Sequence, residues 1–387
     1  MTHRQQHIAF VVNNYPPKIG GLEQHVHQLA HHVAELGHRV TVIALDNSRA
    51  GVEEGKVTVH RLRGSRTIAG VFSAPYPGTK RRLHALLKDQ GVTLISVHTR
   101  FFPMSFVGLR LGKTLRVPVV HTEHGSDHVK GVSQFIGMVS RVVDRTMGRY
   151  ILKQATGVLA ISTSARDFVK RLAGVHSIVF HNAIDTKSFT ATPSAPHRQR
   201  LVFLGRIVPG KGWDQTLKVA ESLHRNFPDL EVHFIGDGIE RQRLLMSLES
   251  SPLAENAVYH GYLRGSEIQD VLANGILLNP TLLAEGFQTT LLEAIASGAA
   301  VVSTPVAAAV YLAKEGAEVR IVQSREADVW SAQVQDLLEN GWAAPLPGLI
   351  ETFDWRSRAQ EFVAIAEDMN GDTAPLAVQR NSSPPTG

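Results

Sequence analysis

Short, wholly apolar runs alternate with longer amphipathic ones along nearly the whole chain. "HIAFVV" at residues 7–12 has the character of a strand, and "GLEQHVHQLAHHVAELGH" carries Leu22, Val26, Leu29, Val33 and Leu36 at helical spacing before "RVTVIAL" returns to a strand. That is a βαβ unit. The alternation runs on through "VTLISV", "VPVVHTE" and "GVLAIS", restarts at "RLVFLGR", and continues through "EVHFIGD", "AVYHG", "GILLNP" and "AAVVSTP". Strands alternating with helices in this way predict an α/β chain with two doubly wound, parallel, Rossmann-like sheets.

Between the two series lies "TKSFTATPSAPHRQ", rich in Thr, Ser, Pro and Ala and without periodicity, which marks a linker at residues 186–199. The first domain is then 1–185 and the second 200–352. The last stretch, 371–387, "GDTAPLAVQRNSSPPTG", is too polar and proline-rich to pack and is predicted to be disordered.

Composition narrows the classes. The 387 residues suit two domains, each able to bury a core. There is no cysteine, which excludes a disulfide scaffold, thiolate zinc and a thiol nucleophile, and fits a reducing compartment. The apolar run at the amino terminus is too short for a signal sequence or a membrane span, so a cytoplasmic protein is expected. Charge is unevenly placed: residues 1–190 hold 25 Lys+Arg against 11 Asp+Glu, or +14, whereas residues 191–387 hold 15 against 24, or −9. No zinc-finger, helix-turn-helix or aromatic RNA-binding pattern accompanies the basic half. A membrane surface or an anionic substrate fits it better than nucleic acid.

In open α/β sheets, ligands bind where strand ends pass into helices, and the chemistry-bearing residues of this sequence fall there. "FLGRIVPGKGWDQTL" leaves a strand through Gly205 and offers Arg206 and Lys211, a fork of donors and a point charge suited to a diphosphate. "FIGDG" places Gly236 and Gly238 around Asp237, which is not the dinucleotide GxGxxG. Gly20 and Gly21 open the first helix, where backbone can approach a ligand. In "AEGFQTTLLEAIASG", Glu285 stands in a loop and Glu293 inside the following helix; each carboxylate can accept paired hydrogen bonds from adjacent sugar hydroxyls. The backbone N–H groups of Phe287, Gln288 and Thr289 lie between them near a helix amino terminus.

Together these motifs resemble the retaining family 4 glycosyltransferases of the two-domain GT-B fold, from about residue 7 to residue 369. The resemblance rests on "PPKIGGLEQHV", "HTEHG", "LAIS", "HNAID", "FLGRIVPGKG", "FIGDG" and "EGFQTTLLEAIASG" in that order. It implies that Glu285 contacts the donor sugar, that Glu293 contacts the ribose, that Arg206 and Lys211 bind the diphosphate, that Gly20 and Gly21 border phosphate and acceptor, and that His124 lies against the sugar. It also implies that "FDWRSRAQEFVAIAEDM", within 353–370, is a last helix crossing back to the first domain. The expected reaction moves a hexose from a UDP- or GDP-linked sugar to a hydroxyl acceptor in glycolipid, cell-envelope or exopolysaccharide synthesis. No cofactor and no metal are expected, because two cations can stabilise the leaving diphosphate.

Three departures from the family pattern stand out: Gln288 and Ala183 replace glycines, and "TPVAAAVYLAKEG" has alanines and Tyr311 where a glycine pair and a glutamate are usual. They keep a non-catalytic sugar-nucleotide or glycan-binding protein in view as the alternative, with a GT-B nucleotide-sugar epimerase behind it. His27 and His31 have zinc-ligand spacing but lack the intervening glutamate and a third ligand, and read as structural. His98, His121, His124 and His128 gather at two strand ends. Arg61, Arg63 and Arg66, then Lys80, Arg81 and Arg82, then Arg141, Arg145 and Arg149 cluster the positive charge. The last three form a helical stripe beside Phe135, Ile136, Met138, Val139, Val142, Val143 and Met147, so residues 133–153 could lie on an anionic membrane surface and bring a lipid-linked or anionic acceptor to the cleft, with a core helix bearing a solvated basic face as the alternative.

Overall fold

Two sheets organise the chain in a computed structural model that describes residues 5–18, 20–45, 52–65, 73–128, 134–189, 198–343, 348–369 and 371. Eight strands form the first sheet, in the spatial order Val52–Glu54, Val57–Leu62, Arg39–Leu45, His7–Val12, Leu94–His98, Val119–Glu123, Gly157–Ala160 and Ile178–Val179. Six form the second, in the order Ala257–Gly261, Glu231–Ile235, Arg200–Leu204, Ile276–Asn279, Ala300–Ser303 and Val319–Ile321. Every pair is parallel except Val52–Glu54 with Val57–Leu62, an antiparallel edge the alternation does not predict. Strands such as His7–Val12 and Ile276–Asn279 are buried along their whole length because helices cover both faces, which is why they read as unbroken apolar runs.

Four strands escape the sequence pattern: Val52–Glu54, Val57–Leu62, Ile178–Val179 and Val319–Ile321. All lie at or next to a sheet margin. A marginal strand has less apolar area to bury and tolerates polar residues such as His60, Arg61 and Arg320, so its signal is weak.

The sheet order places the functional region. In the first sheet the winding reverses between His7–Val12 and Leu94–His98, and in the second between Arg200–Leu204 and Ile276–Asn279. The crevices at these switch points are the places where loops part and a ligand can enter.

The last described helix returns to the start of the chain. The helix Trp355–Met369 packs on the helix Gly21–Glu35, and its Trp355, Ala359, Phe362 and Ala366 are buried in one cluster with Val26, Leu29, Ala30 and Val33. A bridge between Ile184 and Asp354, with the Trp355 N–H donating to the Ile184 carbonyl at 3.3 Å, sets where this helix begins. Of the expected linker, residues 190–197 lie outside the described residues, as does the tail from 372 onward. Phe362 is completely buried between the last helix and the first sheet. Phe362→Ala is therefore expected to cost about 3–5 kcal/mol of unfolding free energy in urea denaturation; a loss under about 1 kcal/mol would mean that this helix does not share the first domain's core.

Candidate functional site

The second sheet supplies one wall. After Arg200–Leu204 the chain turns at Gly205, whose N–H donates to the Ile235 carbonyl at 3.0 Å. Gly236 faces it with φ +127°, and a Cβ there would collide with the Gly205 carbonyl oxygen, so two strand ends approach as bare backbone. Arg206 is exposed at this point and has no carboxylate partner among the described residues. Lys211, half-buried before the helix Trp213–Leu223, extends its Nζ to 2.6 Å from Oε1 of Glu285. Thr281 Oγ1 donates to the same oxygen at 3.3 Å, and the Leu282 N–H donates to the Gly210 carbonyl at 2.7 Å, tying the two loops together. Two residues that stand 74 positions apart in the chain thus meet as an ion pair at the switch point of the second sheet.

The second glutamate sits differently. The helix Thr289–Ala296 begins after Gln288, and Glu293 in its second turn accepts a hydrogen bond from the Thr289 side chain. Burial raises the Glu293 carboxyl to about 7, and the Thr289 bond offsets this only in part. Phe287 is buried against His181, Phe353 and Tyr311, with ring centroids 4.2, 5.7 and 6.0 Å away, so its side chain belongs to the packing and only its backbone faces the loop. Gln288 exchanges hydrogen bonds with Asn279 at 2.9 and 3.3 Å. A cavity of about 420 Å³ flanks the loop, bounded by Gly210, Gly212, Thr281, Thr304 and Arg325, but Arg206, Lys211, Glu285 and Glu293 do not line it.

The first sheet supplies the opposite wall. Ser126 Oγ donates to the Glu285 carbonyl at 3.2 Å, and a Cβ on Gly286 would lie 3.0 Å from the His124 carbonyl and 2.5 Å from Ile161 Cδ1. Asn182 Nδ2 donates to the Phe287 carbonyl at 2.7 Å. The loop bearing Glu285 is thereby seated against the segment bearing His124. Gly20 precedes the first helix with extended backbone that any residue can adopt; the Glu23 carboxylate below it is what leaves no room for a side chain, whereas Gly21 faces open space.

His124 belongs to a set that the sequence pattern does not fully reveal. His98 Nδ1 lies 3.1 Å from His124 Nε2, and His25, from the first helix, packs edge-on to His124 with centroids 4.8 Å apart. Among the described residues, these three bring ring nitrogens within 4.8 Å of one another and could hold a metal ion. Burial lowers His25 to about 4, and burial with mutual repulsion takes His98 and His124 well below the ordinary imidazole range, so all three are neutral at pH 7. His25 Nδ1 donates to Asn182 Oδ1 at 2.9 Å, which leaves Nε2 an acceptor, buried and without a partner. His27 and His31 are otherwise engaged, with Tyr15 and the His27 carbonyl respectively.

Behind His124 lies a charged cluster that no spacing in the sequence announces. Arg100, fully buried, pairs with Glu123 at 2.8 Å and with both oxygens of Asp144 at 2.8 and 3.0 Å, while His121 and His128 reach Glu123 and Asp144 at 3.2 and 2.5 Å. Burial would raise the Glu123 carboxyl; the Arg100 charge, with the His121 and Gly125 hydrogen bonds, outweighs it and holds the group at about 2. The cluster fixes the backbone that turns after His124.

Comparison with known proteins agrees with this geometry. Residues 19–188 match the model of Glycosyltransferase Family 4, and residues 198–340 match Glycosyl transferases group 1. The chain is 24% identical over 371 residues to the phosphatidyl-myo-inositol mannosyltransferase of Mycolicibacterium smegmatis, covering 91% of each protein. It is 28% identical over 316 residues to one subunit of the phosphatidylinositol N-acetylglucosaminyltransferase of Homo sapiens, covering 78% of this chain but only 63% of that longer protein. Among solved structures it superposes on sucrose-phosphate synthase from Thermosynechococcus elongatus with TM-score 0.73 at 17% identity, covering 96% of this chain and 100% of that one. Anabaena HepE in complex with UDP and glucose gives TM-score 0.67 at 16% identity, covering 93% and 99%. With both halves matched and the two sheets facing across a cleft, the chain belongs to the family 4, group 1 glycosyltransferases and has their GT-B fold.

Proposed function

We propose that this protein is a retaining, metal-independent hexosyltransferase that uses a UDP- or GDP-linked sugar and a hydroxyl acceptor of glycolipid, cell-envelope or exopolysaccharide synthesis. The observation that carries it is the Lys211–Glu285 pair at the second sheet's switch point, seated against His124 of the first domain. One cation for phosphate and one carboxylate for hydroxyls, side by side, match the two ends of the bond that would break. The relatives named for transfer to phosphatidylinositol support a glycolipid acceptor, and we place the reaction at the cytoplasmic face of a membrane. Among the described residues no helix is long and apolar enough to cross a membrane.

Arg206 and Lys211 hold the donor diphosphate, Glu285 and His124 the sugar, Glu293 the ribose, and Gly20, Gly21, Gly205, Gly236 and the backbone of residues 287–289 let the ligand approach. As the bond from the sugar's anomeric carbon to the diphosphate oxygen breaks, negative charge grows on that oxygen and the two cations stabilise it. The acceptor oxygen forms the new bond on the same face, and its proton passes to the departing phosphate. No enzymatic nucleophile is required. Neutral His124 can donate a hydrogen bond to the sugar without adding a charge beside the carbon that becomes cationic.

Arg206→Ala or Lys211→Ala is expected to lower kcat by about 10²-fold or more through lost charge stabilisation. Steady-state transfer assays with UDP- and GDP-sugars read this directly, and near-normal turnover in either variant would remove the diphosphate site. The same assays in excess EDTA should show an unchanged rate; restoration of a lost rate by Mg²⁺ or Mn²⁺ would refute metal independence.

Glu293 adds a dependence on pH. Its carboxyl is held at about 7, above the 4.5 of an unperturbed glutamate, so the native state keeps a proton that the unfolded chain releases. Stability of the unliganded protein should therefore fall as pH rises from about 4.5 through 7, by at most on the order of 3 kcal/mol, and Glu293→Gln should flatten that profile. A ribose diol needs the ionised carboxylate as acceptor. Affinity for a nucleotide sugar, whose diphosphate does not titrate in this range, should accordingly strengthen about tenfold between pH 6 and 8 in wild type and stay level in Glu293→Gln. Calorimetric titration at the two pH values checks it; a flat wild-type profile would dissociate Glu293 from the ribose.

A further inference from the structure

A second cavity, of about 390 Å³, opens in the first domain where two helical segments face each other. The helix Gln134–Val143 continues through a π-helical turn, Asp144–Gly148, into Arg149–Gln154, and contributes Arg145 and Arg149. The helix Thr163–Ala173 contributes Phe168, Arg171 and Leu172. His128 and Asp127 complete the lining. All three arginines are exposed and none has a carboxylate partner among the described residues.

Of the negative groups nearby, Asp144 is buried beneath, held by Arg100 and His128, and Asp127, which shares the lining, accepts the His128 N–H at 2.8 Å, so three guanidinium groups face a single carboxylate there. Phe168 contributes an apolar side to the cavity: Arg171 lies over its ring at 5.9 Å and His128 meets it edge-on at 5.3 Å, while the buried Arg100 covers it at 4.4 Å. Three guanidinium groups around one concavity offer many fixed donors and no acceptor, which suits a group with several anionic oxygens.

Position ties the cavity to the reaction. Residues 124–128 form one loop: its Ser126 touches the Glu285 backbone in the candidate active site, and its next two residues line this cavity. On the helix that carries Arg145 and Arg149, Met138, Val139 and Val142 are exposed, and so is Tyr150; the side chains of Phe135 and Ile136 lie outside the described residues. Apolar side chains beside an anion pocket match an acceptor with a phosphate head and an apolar tail.

We propose that this cavity binds the phosphoryl group of the acceptor, held by Arg145, Arg149 and Arg171 while the acceptor hydroxyl reaches past Ser126 to the donor sugar. The proposal rests on the glycosyltransferase reading above and adds the chemical class of the acceptor. The same chemistry can come from a lipid headgroup or from a soluble phosphorylated sugar or polyol, and two probes separate them.

Binding of glycerol 3-phosphate is measured by calorimetry, and binding to phosphatidylcholine vesicles with and without phosphatidylinositol by co-flotation, both without any nucleotide sugar. The full chain is compared with Arg149→Gln/Arg171→Gln, with Arg145→Gln, and with the charge-matched control Arg166→Gln/Lys170→Gln on the other face of the same helix; thermal melts verify folding. The expected result is binding of at least one probe by wild type, weakened about tenfold or more in the double variant, less in Arg145→Gln, and little in the control. Binding to phosphatidylinositol vesicles alone identifies a lipid headgroup, whereas binding of glycerol 3-phosphate in solution admits a soluble acceptor. If neither probe binds wild type, if the double variant binds as wild type does, or if the control loses as much, the pocket is not a phosphoryl site. Because no donor is present, a failure of the glycosyltransferase reading would show in the donor assays alone.

Discussion

The structure depends on one close approach, that of the Glu285 loop to the first domain at Gly286. A glycine there lets backbone come within side-chain distance of the His124 carbonyl and Ile161, and the hydrogen bonds from Ser126 and Asn182 fix the loop on either side. Both hydrogen bonds join the two domains through a carbonyl of the Glu285 loop. An apolar cluster joins the domains beside them: Ala160, Ile161, Ala165 and Ile184 of the first domain are buried together with Phe287, Leu291 and Leu292 of the second. The last helix adds a second apolar attachment, by burying Trp355 and Phe362 in the first domain. Beside this packing stand polar groups, Lys211, Glu285 and Ser126 among them.

Those polar groups meet burial in different ways. Arg100, buried in the first domain, is compensated by Glu123 and Asp144, and removing one member would strand the others in a low-dielectric setting. For His25, His98 and His124 burial outweighs what would favour the charged form, and the groups are neutral. In the cleft, Lys211 and Glu285 compensate each other at 2.6 Å yet remain half-buried, so water and ligand oxygens can compete for both. A diphosphate and a sugar hydroxyl are the partners that could replace that mutual contact with two better ones.

Much of this was legible in the sequence, for physical reasons that also explain the remainder. Central strands such as Leu277 and Leu278 in "GILLNP" are buried on both faces and announce themselves as apolar runs; Arg206, Lys211, Glu285 and Glu293 are recognisable because charged groups at strand ends have few structural excuses. The pairing of Lys211 with Glu285 is a long-range contact between loops and has no local signature. His25 looks like one more polar residue on an amphipathic helix, and only the return of Asn182 and the approach of His98 and His124 give it a role. Arg100, Glu123 and Asp144 are likewise scattered. Edge strands such as Val319–Ile321 are short and only half-buried, and no periodicity survives at that length.

Each of the three departures from the family pattern is accommodated in its own surroundings. Ala183 is buried in the core that the last helix closes, one residue from Asn182, which bridges to the donor loop. Tyr311 lies in the helix Ala307–Lys314 above Ala308 and Ala309, which are buried, and its ring stands 4.7 Å from His181 and 6.1 Å from Phe353. Gln288 is bound to Asn279 at the end of the strand that leads to the loop. Tyr311 joins His181, Phe287 and Phe353 in an aromatic cluster beside the start of the Glu293 helix. None of the three departures takes a charge from Arg206, Lys211, Glu285 or Glu293, so the charged set at the strand ends of the second sheet is intact, and what the departures change is packing and shape around the Glu285 loop.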